Sequence, residues 1–137
     1  MKLETILIAA AAFQLAIAVL NLFLVRLLDW RSELERMPLL LREVFTVHAW
    51  FISVTLLIFA ALTWRFAPAM GSGSAEVYRW IAAGIGGFWA LRTVLQLGYY
   101  SSTHWWGRLD RTLIHCALLL TYGGFAATYL VAAFARG

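Results

Sequence analysis

Three runs of the chain, residues 5–25, 44–64 and 112–135, contain no Asp, Glu, Lys or Arg. Each is long enough to cross a bilayer hydrocarbon core of about 30 Å, which takes about 20 apolar residues in a helix. A fourth run, residues 80–100, has the same character apart from one interruption, Arg92. Lipid admits only helices or closed barrels, and none of these runs alternates apolar and polar residues as a barrel strand does. They predict an all-α fold, an integral membrane four-helix bundle of two transmembrane hairpins forming one domain over 1–137. The helices are expected over 4–28, 43–65, 77–100 and 111–135.

Composition agrees with the runs. The chain is 63% hydrophobic and 13% charged, where soluble domains carry about 45–50% and 25%. Its mean hydropathy is +0.78, so the net charge of +4 decorates loops and is no nucleic-acid footprint. No nucleic-acid partner is expected. Small residues at 9–12 and 16–18 resemble signal-peptide cleavage sites, but the basic flank is Lys2 alone and the apolar run is too long. The first run is therefore expected to be retained as a helix.

The first connection, 26–43, is rich in opposed charges, and Pro38 breaks any continuous helix through it. Within it Trp30, Leu34, Met37 and Leu41 recur at helical spacing, which predicts an interfacial segment over 29–41. The second connection, 66–76, holds Pro68 and Gly71-Ser72-Gly73-Ser74, a hinge between the hairpins. The third, 101–111, is short and aromatic. Connections one and three carry six Arg against four Lys or Arg at the other end, which places both termini on the non-cytoplasmic side. Aligning His48 with His115 also aligns Glu43 with Asp110, a faint echo between the hairpins.

Ionisable groups inside a membrane cost about 2.5–3.5 kcal/mol each even on lenient scales. At about 1.5 Å per residue, His48 and His115 lie about 6 and 5 Å inside the starts of the second and fourth helices. Arg92, Gln96 and Asn21 lie about 12, 6 and 10 Å before the ends of the third and first. All five thus fall in one half of the bundle. Trp89, Arg92, Gln96 and Tyr99 share one face of the third helix, and His115, Tyr122 and Tyr129 one face of the fourth. His48, Ile52, Thr55 and Phe59 form a stripe on the second, and these stripes are expected to point inward. Ala83 with Gly87, and Gly123 with Ala127, read as faces of close helix packing.

Two imidazoles facing across a bundle can ligate a haem iron, so His48 and His115 are candidate metal ligands for a haem b. In that reading Arg92, Arg42, Arg108 or Arg111 meets the propionates, and Trp50, Trp89, Tyr99 and Tyr100 line the ring. A quinone-like cofactor at His48, His115, Arg92, Gln96, Asn21, Tyr99 and Trp89 fits the same pattern. The plainer alternative is that each His bonds a neighbouring helix or sits at headgroup level. A bare metal needs a third ligand, His104 or Glu43, and neither H-x-x-H nor H-E-x-x-H occurs. Arg92 is always charged and demands a partner, whether Glu43, a ligand anion, or the acceptors Gln96 and Asn21.

Tyr99, Tyr100, His104, Trp105 and Trp106 read as an aromatic rim, and Trp30, Trp64 and Trp80 as interfacial anchors. Cys116 is the only cysteine, so dithiol chemistry within the chain is excluded. Ser53 lacks a nucleophile elbow. In helix count and in one His on each of two helices the layout resembles small four-helix cytochrome-b-type membrane subunits, a likeness that carries over no residue role. Three functions remain open: a haem b- or quinone-binding redox subunit for electron transfer, a lipid- or isoprenoid-binding membrane enzyme, and an accessory subunit of a larger complex. All imply membrane lipids and either a homo-oligomer or partner membrane subunits.

Overall fold

The structure, a computed structural model, describes residues 1–99, 107 and 109–135. Among them there is no strand. The order is α1 (Leu3–Leu27), α2 (Arg31–Glu35), α3 (Leu39–Ser72), α4 (Glu76–Gly98) and α5 (Leu109–Phe134). All but α2 are long and apolar enough to cross a membrane. Only 17% to 33% of the most apolar stretch of each is buried within the chain. Large apolar side chains stand exposed along every one of them.

The chain divides into two compact units, residues 8–65 and residues 1–7 with 66–137. In the first, α1 and α3 are joined where Asn21 Nδ2 donates to the Ala49 carbonyl at 3.0 Å and to Ser53 Oγ at 2.9 Å. The buried residues of α3, from Ser53 through Leu56, Ala60 and Thr63 to Ala67 and Met70, alternate steps of three and four. That repeat is a coiled-coil-like seam of small and medium residues. The seam lies one residue beyond the His48–Ile52–Thr55–Phe59 stripe, and His48 and Ile52 are exposed. The inward orientation expected of that stripe is thus corrected. Without a hydrophobic force between helices in lipid, small residues that admit close backbones define the packed face, and the polarity of a stripe does not.

Helices α1 and α3 end in the same left-handed reversal. After α1, Asp29 has φ +51°, Trp30 N–H donates to Val25 O and Asp29 N–H to Arg26 O. After α3, Gly73 has φ +61°, Ser74 N–H donates to Ala69 O and Gly73 N–H to Met70 O. Each pair of bonds satisfies carbonyls that the helix end leaves without partners. The expected hinge over 66–76 is accordingly confined to its last residues. Pro68 lies inside α3, where it removes one N–H from a ladder of 34 residues. The expected interfacial segment 29–41 also divides: α2 is a single short helix with no buried residue, and Leu39 to Leu41 already belong to α3. Arg31 pairs with Glu35 at 3.3 Å and Arg36 with Glu33 at 3.5 Å along its exposed side.

In the second unit α4 and α5 run antiparallel. Gln96 near the end of α4 meets His115 near the start of α5, and Arg79 near the start of α4 meets Ala133 near the end of α5. The interface is built on Ala82, Ile85, Gly86 and Trp89 of α4 and Tyr122, Phe125, Ala126 and Tyr129 of α5. It is tight at Gly86, where an added Cβ would lie 3.0 Å from Leu130 Cγ and 3.1 Å from the Leu130 backbone nitrogen. Nothing lies within 4 Å of such a Cβ at Gly87 or Gly123. The packing faces expected at Ala83/Gly87 and Gly123/Ala127 are therefore displaced to the neighbouring positions Ala82/Gly86 and Ala126.

Candidate functional site

Helical spacing places Trp89, Arg92 and Gln96 along the side of α4 that meets α5. Trp89 is buried, its ring stacked on Tyr122 at a centroid distance of 5.3 Å and tilted against Phe125 at 4.7 Å. One turn on, the half-buried Arg92 holds its guanidinium carbon 4.9 Å from the centroid of the same Tyr122 ring. A desolvated cation over an aromatic face gains about 2 kcal/mol. Arg92 NH1 donates to Gln96 Oε1 at 3.2 Å, and Gln96 Nε2 lies 2.9 Å from His115 Nδ1. Gln96 is 3% exposed, so its amide has little water to turn to and depends on these two partners.

The direction of this chain of bonds follows from what each group can do. Arginine only donates, so the Gln96 oxygen faces Arg92 and the Gln96 amide nitrogen faces His115. That nitrogen is itself a donor, so His115 Nδ1 accepts. The ring proton of a neutral His115 then sits on Nε2. The cluster thus lines up a cation, an amide and an imidazole beside a plate of Tyr122 and Trp89. It is poorly matched to an iron, which needs the Nε2 lone pair and a proton on Nδ1.

The structure brings together Trp89, Arg92, Gln96 and His115 and adds Tyr122 and Phe125. Tyr122 shares the His115 stripe in the sequence, and its i+7 spacing was the available signal. Tyr99, the C-terminal cap residue of α4, keeps helical backbone with its N–H on Leu95 O at 2.9 Å, but it is 81% exposed, which corrects its expected place on the inward face. Asn21 and His48 belong to the other unit. Asn21 bonds to α3 as described, and His48 lies beside Glu43, Val44, Val47 and Phe51 on an open surface depression of about 360 Å³. Ser53, buried, acts as an acceptor for Asn21. Cys116 is exposed. Tyr100, His104, Trp105 and Trp106 lie outside the described residues. Among the described residues no three His, Cys, Asp or Glu side chains gather as metal ligands.

No protein-family model, curated protein or solved structure matches the chain.

Proposed function

We propose that the chain is a multi-pass integral membrane protein whose four long helices form two hairpins of a bundle. Both termini are placed on the non-cytoplasmic side, and the exposed apolar faces meet lipid and other subunits, either copies of the chain or partners. Its α4–α5 hairpin binds the carbonyl-bearing head of a lipid-soluble quinone, as a subunit of a redox complex. The observation that carries this reading is the Arg92–Gln96–His115 chain over the Tyr122/Trp89 plate. A cation and polar groups on an apolar hairpin favour a ligand with a polar head and a hydrocarbon tail, and an aromatic plate favours a planar ring. Arg92 would meet the head, with Gln96 tying it to His115.

The test is purification of the full chain from haem- and quinone-replete membranes, with an absorption spectrum and mass spectrometry of the extracted ligands. An isoprenoid quinone present with the wild type and lost with Arg92→Gln and with His115→Phe supports the proposal. A Soret band lost with His48→Ala and His115→Ala transfers the site to haem b. A different isoprenoid or lipid held by Arg92 points to the lipid-binding alternative. An extract with no Arg92-dependent ligand overturns the binding reading and leaves an accessory subunit.

A further inference from the structure

At the end of the α4–α5 hairpin away from His115, a cavity of about 460 Å³ opens between the turn after α3, the start of α4 and the end of α5. Gly73, Ser74, Glu76, Arg79, Trp80 and Ala133 are among its walls. Arg79 is half-buried, and its Nε–H donates to the Ala133 carbonyl at 2.8 Å. That bond uses one of five guanidinium donors and fixes the planar fork at the cavity wall. Arg79 makes no ion pair among the described residues. The one carboxylate in the wall, Glu76, instead accepts from Trp80 Nε1 at 3.2 Å. Trp80 is exposed and stands where interfacial tryptophans gather, at the polar end of an apolar helix.

A cavity at headgroup level, walled by a fixed guanidinium with no acidic partner, has the chemistry of a phosphate site. Guanidinium and phosphate match in bidentate geometry as well as in charge. The start of α4 adds to the field, since Ala75 supplies no side-chain cap to its first N–H groups. We infer that this cavity seats a phosphate group, carried either by an anionic phospholipid or by the free ion. The lipid source rests on the membrane reading given above, and the free-ion source does not.

The experiment uses the full chain in detergent in two arms. In one, native mass spectrometry measures retention of phosphatidylglycerol against phosphatidylcholine. In the other, inorganic phosphate is titrated and followed by tryptophan fluorescence. Arg79→Gln is expected to weaken binding about tenfold or more, the effect of losing a charge-assisted pair. Arg79→Lys keeps the charge and loses the fork, so it falls between. Ala83→Leu fills the cavity with the charge intact and weakens binding as well, while Arg31→Gln on α2 matches the wild type. Thermal melting without probe shows that each variant is folded, and Ala83→Leu carries the test if Arg79→Gln is not. Arg79-dependent retention of phosphatidylglycerol assigns the seat to lipid, and an Arg79-dependent phosphate titration assigns it to the free ion. Binding in both arms that is indifferent to Arg79 and Ala83 overturns the inference.

Discussion

Replacing Gln96 separates the hydrogen-bond direction from mere packing. Gln96→Leu keeps the side-chain size and removes both the acceptor for Arg92 at 3.2 Å and the donor to His115 at 2.9 Å. A bond to a charged group contributes about 1.5–3 kcal/mol and a neutral one about 1. Polar pairs between membrane helices average nearer 0.6 kcal/mol. A loss of about 2 kcal/mol is therefore expected in denaturant unfolding from detergent, followed by circular dichroism. Gln96→Glu offers Arg92 a carboxylate but presents an acceptor to His115. The ring must then donate from Nδ1, so Gln96→Glu should move the proton from Nε2 to Nδ1. Nitrogen-15 NMR of labelled histidine reads this directly, with the His115 signal among the chain's three assigned by its loss in His115→Asn. A wild-type His115 protonated at Nδ1 would refute the assignment and restore Nε2 as an iron ligand. A Gln96→Leu variant within about 0.5 kcal/mol of the wild type, the scatter of ordinary surface changes, would refute the energetic part.

Other perturbations test the frame around the site. Gly86→Ala should destabilise by about 1–2 kcal/mol, because the new Cβ meets the Leu130 backbone and overpacking outweighs helix propensity. Gly87→Ala, with open space around it, should gain up to about 1 kcal/mol in the same unfolding assay. Of the two left-handed helix ends, Gly73→Ala should cost about 1 kcal/mol, while Asp29→Gly should be neutral or stabilising by a similar amount; thermal melting of the pair gives opposite signs. Asn21→Leu should cost about 1 kcal/mol by losing two bonds to α3, and Arg31→Ala on the exposed α2 no more than about 0.5 kcal/mol.

Existence of the four long helices was legible in the sequence, because uncharged length is a direct consequence of the thickness of a bilayer. Their ends were less so. Arg42 and Glu43 mark where apolar sequence stops, yet α3 begins at Leu39, since a helix continues into water whenever its own ladder holds. Pro68 read as a break, but one missing donor does not end a long helix; the two bonds closing around Gly73 do. On the site, the periodicity of α4 found Trp89, Arg92 and Gln96, and that of α5 found His115 with Tyr122. The face of α3 was misjudged by one residue. Adjacent helical positions differ by about 100°, and His48 drew attention by its chemistry while Ala49 and Ser53 made the contact.

The same comparison separates two kinds of polar residue in apolar helices. Asn21 spends both amide N–H groups on α3, and its partners are a backbone carbonyl and a hydroxyl, so its chemistry is consumed in joining two helices. Arg92, Gln96 and His115 also lie across a helix pair, but their bonds run in one direction, from a donor-only cation through an amide to an imidazole nitrogen. Structural glue alone needs less, because a second Asn–Ser contact would join α4 to α5 without a half-buried cation or a stacked tryptophan. The combination of a cation, an amide, an imidazole and an aromatic plate on one helix pair is what marks the α4–α5 cluster as the candidate site.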